Sequence, residues 1–552
     1  MRADERMGLW KVIVRSVGVL LVAFVPCGLA TTVAEAQPQL VEGQVLVVYD
    51  SRLPDSLLVA EHYAGSAKVA GGVGGVAGSR PGVHVFDLAT GGAAVTAPGT
   101  TTYPNFITRI RTPLRNHLEA SGLTNEIRCI VTTKGLPHRV RDTDNANSGD
   151  SPTQTDNEHM NRDATNASME AELALLWQDL TAGEMGGAAD SFADGMIVNP
   201  YWGRSEPISA WPTTHITSPK AFVGAYAPGR FWWTTTADPA GRLSPGDIYL
   251  VCRLDGNTVD DVRALIDRSR HIVVDMRSVV VVLDESNSDG VQTPTPPPSS
   301  EFDNSHGIPE VNAGDDYELC RDTLLADGRI LSANVRYDAL ADAANFMVGP
   351  RISYGGQGIV VTEPVLLLAH YGANHHGTKP GGSGANPPAS SSYAESFHYS
   401  PGAIMNTMES FNARAFGGLT TSFNQEQIAD FIAAGGTFGL GNVYEPFAYT
   451  VPDTIFVVRN FILGNLTWAE AAHTSIPFLS WAQIVIGDPL ARIVRSTEDI
   501  NGDGVVDVED LWAWEESPTD INNDGVANEA DKRLLEGTVR AFERVDMTNR
   551  RR

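Results

Sequence analysis

Two stretches near the C-terminus place oxygen-bearing side chains at the same spacing. Residues 499–510 read Asp-Ile-Asn-Gly-Asp-Gly-Val-Val-Asp-Val-Glu-Asp, and residues 520–531 read Asp-Ile-Asn-Asn-Asp-Gly-Val-Ala-Asn-Glu-Ala-Asp. A hard divalent cation takes roughly six to eight oxygens, and a tight twelve-residue loop delivers them from alternate positions. The first loop would use Asp499, Asn501, Asp503 and Asp510, with Asp507 at the water-mediated position and the Val505 carbonyl. The second would use Asp520, Asn522, Asp524 and Asp531, with Asn528 at the water position and the Val526 carbonyl. Gly504 and Gly525 stand sixth, where the backbone must turn sharply. Two Ca²⁺ ions are the expected cofactors; the alternative is a pair of Asx/Gly-rich surface turns.

A second set of residues could do acid–base or nucleophilic work. His370, His375 and His376 follow the apolar run 360–369, where a general base would sit. Met408-Glu409-Ser410-Phe411 follows the next strand-like run and offers the Ser410 hydroxyl in place of a thiol, so it would need an activating base and oxyanion donors. Read otherwise, these histidines line a polar groove; His375 and His376 are adjacent and match no metal-ligand spacing. Arg253, Asp255, Asn442 and Glu445 stand at strand ends, where open α/β sheets place ligands, and are groove candidates or loop stabilisers. Trp202, Trp211, Trp232 and Trp233 suggest either a sugar-stacking surface or packed loop anchors. The sequence carries no Gly-rich phosphate loop, no Ser-centred nucleophile elbow and no HExxH.

The elements that must position these residues alternate between strand and helix. Apolar runs at 45–49, 84–88, 127–132, 248–252, 279–283, 360–369, 402–407 and 481–486 read as strands. Helical spacing appears at 55–63, 106–120, 169–180, 259–268 and 428–434, and 435–441 reads as a turn-rich passage. This rhythm predicts an α/β domain over 37–495 with a mostly parallel sheet flanked by helices. The Pro/Ser-rich stretch within 288–302 either divides it into halves or decorates it. Helices are expected after each loop, over 508–516 and 529–535, followed by a tail at 541–552.

With 552 residues, 42% hydrophobic and 19% charged, the chain can bury a large core, and its net charge of -27 argues against nucleic-acid partners. Residues 498–540 contain 13 acidic and three basic residues, so more than a third of that net charge sits beside the two loops. Arg2, Arg6, Lys11 and Arg15 precede the apolar run 17–25, and Ala34-Glu35-Ala36 supplies a cleavage site, so residues 1–36 read as a signal peptide. The mature chain is then expected to be secreted or periplasmic, without a membrane span. Cys129 and Cys252 lie in apolar, strand-like runs and read as core; with Cys320 they permit at most one disulfide.

Several segments resemble a family of uncharacterised exported bacterial proteins: 45–49 with Pro54-Asp55-Ser56, 130–137, 167–173, 249–256, 439–446 and 479–490. More loosely, a His after one strand, a nucleophile position after the next and the closing Gly487-Asp488-Pro489 resemble gingipain-like, caspase-fold cysteine peptidases. The paired loops, with Asp510 and Asp531 twelfth and no entering helix before Asp499, resemble a type I dockerin over 498–540. That resemblance implies a small all-α, EF-hand-like calcium module and a cohesin-like protein partner. Here positions ten and eleven are Val508-Glu509 and Glu529-Ala530, in place of a matched polar pair, and the loops are closer together than in many dockerins. The expected function is Ca²⁺-dependent assembly or surface attachment, with the α/β domain in a non-catalytic binding role. The alternative is a secreted hydrolase acting on a protein or polysaccharide.

Overall fold

A computed structural model of the chain describes residues 39–91, 98–141, 167–177, 197–214, 243–285, 317–339, 347–351, 358–370, 393–417, 427–444, 446 and 450–550. The chain divides into two compact units, Met1–Ala36 and Gln37–Arg552, and all described residues belong to the second. The signal segment, the 288–302 stretch, His375, His376, Glu445, Trp232 and Trp233 lie outside the described residues.

Valine- and leucine-rich runs become strands because both of their faces are covered. Ten strands share one sheet, its two edge strands only partly buried: β1 (Val45–Tyr49), β2 (His84–Asp87), β3 (Cys129–Thr133), β4 (Leu250–Leu254), β5 (Val280–Asp284), β6 (Val335–Asp338), β7 (Val365–His370), β8 (Tyr399–Asn406), β9 (Phe438–Asn442) and β10 (Gln483–Ile486). Their order across the sheet is β6-β5-β7-β8-β9-β10-β4-β3-β1-β2. The protein is therefore α/β with a large, mostly parallel mixed sheet, and strands from both sides of 288–302 enter that one sheet. The single antiparallel neighbour pair is β9 with β10, whereas β10 pairs with β4 in parallel. The sheet is thus two parallel blocks pointing opposite ways, and the C-terminal ends of β1–β4 and of β5–β9 lie at opposite edges.

Helices α1 (Pro54–Ala64), α2 (Thr112–Ser121), α3 (Met169–Ala174), α4 (Val259–Arg268), α5 (Tyr317–Asp327), α6 (Ile428–Ala433) and α7 (Trp468–Ser475) accompany the sheet. Helix α3 begins where Ser168 Oγ accepts the Ala171 N–H at 2.9 Å, an N-cap that satisfies one orphan donor.

Several sequence expectations change, and the helix expected over 169–180 ends at Ala174. Residues 438–442, expected in a turn-rich passage, form the central strand β9. Its glycines make room for α6: a Cβ on Gly439 would stand 2.5 Å from Ile428 Cγ2, and one on Gly441 would overlap Ile428 Cδ1. The run 360–369 splits, because Ile359–Val360 forms an exposed two-residue strand of its own and β7 begins only after Pro364. Between them Glu363 faces outward, paired with Arg336 at 3.0 Å.

After the last domain strand, Ile493–Arg495, come helices α8 (Val508–Glu516), with the bounds expected, and α9 (Glu529–Arg550), longer than expected. Val506, Trp514, Ile521, Leu535 and Val539 form a separate small core, against which Val494 also packs. Among the described residues no helix is long and apolar enough to cross a membrane.

Candidate functional site

The two C-terminal loops repeat one another bond for bond. In the first, Asp510 Oδ1 accepts the Ile500 and Asn501 N–H groups at 2.7 and 3.2 Å, and its Oδ2 accepts the Asp507 N–H at 2.8 Å. In the second, Asp531 Oδ1 accepts from Ile521 and Asn522 at 2.8 and 3.0 Å, and its Oδ2 from Asn528 at 2.8 Å. The first carboxylate of each loop behaves in parallel. Asp499 takes the Asp503 and Gly504 N–H groups at 3.1 and 2.9 Å; Asp520 takes those of Asp524 and Gly525 at 3.2 and 2.8 Å. Asn501 and Asn522 accept the N–H groups of Asp503 and Asp524, which in turn accept those of Val505 and Val526. Asp507 and Asn528 accept first-turn N–H groups of α8 and α9, those of the second residues Glu509 and Ala530, and so cap those helices.

Backbone donors therefore hold every ligand-position side chain toward its own loop, while Val505 and Val526 are exposed. Asp510 and Asp531 are fully buried; burial pushes the Asp510 carboxyl up, against three backbone N–H groups, and the nearby Asp499 charge pushes it the same way. Among the described residues no three His, Cys, Asp or Glu side chains converge as a ready-made metal cage. The donors here are mixed, carboxylates with an amide and a backbone carbonyl. That oxygen chemistry fits Ca²⁺ rather than a nitrogen- or sulfur-seeking metal.

The module is tied to the α/β domain by a residue that sequence reading missed. Glu498, immediately before the first loop, is fully buried between Arg329 at 2.8 Å and Arg495 at 3.0 Å. Arg495 also donates to the Gly464 carbonyl and to Thr538 Oγ1 of α9. The only sequence signal was Glu498 as an acidic residue adjoining an acidic loop.

The groove candidates separate. Arg253 and Asp255 meet at 2.7 Å at the end of β4, both 1% exposed. Arg253 pairs with Glu170 of α3 at 3.0 Å and donates to the Leu136 and Pro137 carbonyls, and Lys134 Nζ reaches Asp255 at 3.3 Å. Burial pushes the Glu170 carboxyl up, with Arg253 opposing, and pulls the His138 imidazole well down, with Arg253 adding to it. His138 Nε2 lies 2.8 Å from the Arg414 carbonyl, where the neutral ring donates. What this network can do is fasten the ends of β3 and β4 to α3. Asn442 ends β9, in the opposing block, with its Nδ2 donating to the Glu409 carbonyl at 3.0 Å and its Oδ1 accepting from Gln483.

His370 ends β7 fully buried beneath Tyr393, their rings 4.9 Å apart. Its carbonyl accepts the Met408 N–H at 3.0 Å, just beyond β8, and Ser410 follows half-buried. Cys129, Cys252 and Cys320 are buried and not joined in a disulfide. Trp202 is a packed loop anchor, its Nε1 donating to Asp453 at 2.6 Å, and Trp211 meets Tyr201 edge to face.

Comparison with protein-family models, with curated proteins and with solved structures finds no match for the chain.

Proposed function

We propose that residues 498–540 form a dockerin-like module that holds two Ca²⁺ ions, and that through it an exported α/β protein is attached to a cohesin-like protein partner. The observation that carries this reading is the bond-for-bond repetition of the two loops, 21 residues apart. Unrelated surface turns have no reason to share the six backbone-to-carboxylate bonds that the two loops have in common. Asp499, Asn501, Asp503, Asp510 and the Val505 carbonyl would hold one ion, with Asp507 acting through water. Asp520, Asn522, Asp524, Asp531 and the Val526 carbonyl would hold the other, with Asn528 in the water role. Bound there, Ca²⁺ would supply the positive charge that lets the loop carboxylates draw together.

Export rests on the sequence of residues 1–36, whose basic start, apolar run 17–25 and Ala34-Glu35-Ala36 read as a signal peptide. A caspase- or gingipain-like arrangement is supported by His370 at the end of β7 and by Met408–Ser410 beyond the neighbouring parallel strand β8. That strand end offers a hydroxyl rather than a thiol, which favours a binding role over peptidase chemistry. Calorimetric Ca²⁺ titration of the full chain tests the module. Two sites are expected in the wild type and one in Asp510→Ala or Asp531→Ala; absence of binding overturns the reading.

A further inference from the structure

The hexapeptides that open the two loops, Asp-Ile-Asn-Gly-Asp-Gly and Asp-Ile-Asn-Asn-Asp-Gly, differ only at their fourth residue. Both fourth residues need the left-handed backbone: Gly502 has φ 74° and Asn523 has φ 61°. Glycine adopts that region freely, and Asn is among the few other residues that tolerate it. A Cβ on Gly502 would meet nothing within 4 Å. At Asn523 the side chain has a partner: its Nδ2 donates to the Gly328 carbonyl at 3.1 Å, 195 residues away at the C-terminal end of α5.

Two further contacts converge on the second loop. Gly328, at φ +80°, lies so close to the loop that a Cβ there would overlap the Asn522 backbone oxygen. Arg277 Nη2 donates to the Asp520 carbonyl at 2.9 Å. The α/β domain therefore touches the loop at positions one, three and four, between and beside three of its ligand residues. Arg329, next to Gly328, holds Glu498, so one turn grips the module both ahead of the first loop and at the second.

Resting on the two-ion reading above, we infer that the α/β domain holds the second loop in its ion-ready shape, with Asn523 and Gly328 as positioning residues. The two Ca²⁺ sites are then unequal: the second is shared with the domain, and its occupancy staples the module to α5. A loop already held in its bound conformation loses less freedom on binding. By the same linkage, an ion that binds the docked loop stabilises the docking.

The test uses the full chain with the first loop silenced by Asp499→Ala, so that Ca²⁺ reports on the second loop alone. Asn523→Gly converts the second hexapeptide into a copy of the first and keeps the backbone conformation accessible, so folding is preserved. Losing the Gly328 bond is expected to weaken Ca²⁺ binding about tenfold. The Gly328 amide, which donates to the Leu324 carbonyl, is expected to exchange more slowly with Ca²⁺ present in the parent, and this Ca²⁺ effect is lost with Asn523→Gly. In the reciprocal background, Asp520→Ala, Asn523→Gly should leave first-loop affinity unchanged. Equal second-loop affinities with and without Asn523→Gly overturn the inference alone, and no Ca²⁺ binding in either background overturns it together with the reading on which it rests.

Discussion

Arg329 Nη1 lies 2.8 Å from Glu498 Oε1, an ion pair that closes a gap of 169 residues and sits in the interior beside Arg495. Burial pulls the Arg495 guanidinium down from its usual range, with Glu498 opposing and Arg329 adding to it. Arg329 also pairs with Asp327 at 2.7 Å, so Glu498 is the carboxylate in direct contact with Arg495, at 3.0 Å. Glu498→Gln is expected to cost about 3 kcal/mol, because it strands buried positive charge. Urea unfolding at pH 7 measures this, and a loss below about 1 kcal/mol contradicts it.

Helix α6 packs on β9 through glycines. Gly439→Ala should destabilise by about 1–3 kcal/mol, since the new Cβ would press on Ile428 Cγ2 rather than on a flexible chain end. Adding Ile428→Ala should recover part of that loss. A double-mutant cycle from chemical denaturation reads the coupling, and additive losses would refute the packing explanation.

Glu172 is fully buried, accepts a hydrogen bond from Ser480, and is pushed up to about 7 by burial. A raised folded value means that its stability contribution is complete below about pH 4.5 and is lost as pH rises toward 7. Glu172→Gln stays neutral throughout. The variant should therefore gain about 3 kcal/mol on wild type between pH 4.5 and pH 7. His473, held near 4 by burial, acts with the opposite sign: its contribution is lost as pH falls from about 6.5. It is common to both proteins and cancels in the difference. Denaturation midpoints at the two pH values check the shift, and parallel curves would exclude it.

How much was legible in the sequence depends on how local each cause is. Helix α8 could be read to the residue because Asp507 caps it within the same stretch that carries the loop pattern. Strand β9 could not, because Gly439 and Gly441 resemble turn glycines until Ile428 is seen against them. Arg253 and Asn442 were both legible as strand-end residues. That their strands run in opposite directions follows from the β9–β10 pairing, which no local pattern records. Nothing in the local sequence records the purpose of Asn523, which depends on Gly328, in a distant turn.

The central claim, two ions in the repeated loops, is tested most directly by counting bound Ca²⁺ per chain by atomic emission after equilibrium dialysis of the full-length protein. The account predicts two ions for the wild type, one for Asp510→Ala, one for Asp531→Ala and none for the double variant. A wild-type chain that retains no Ca²⁺, or a double variant that still retains two, would contradict it.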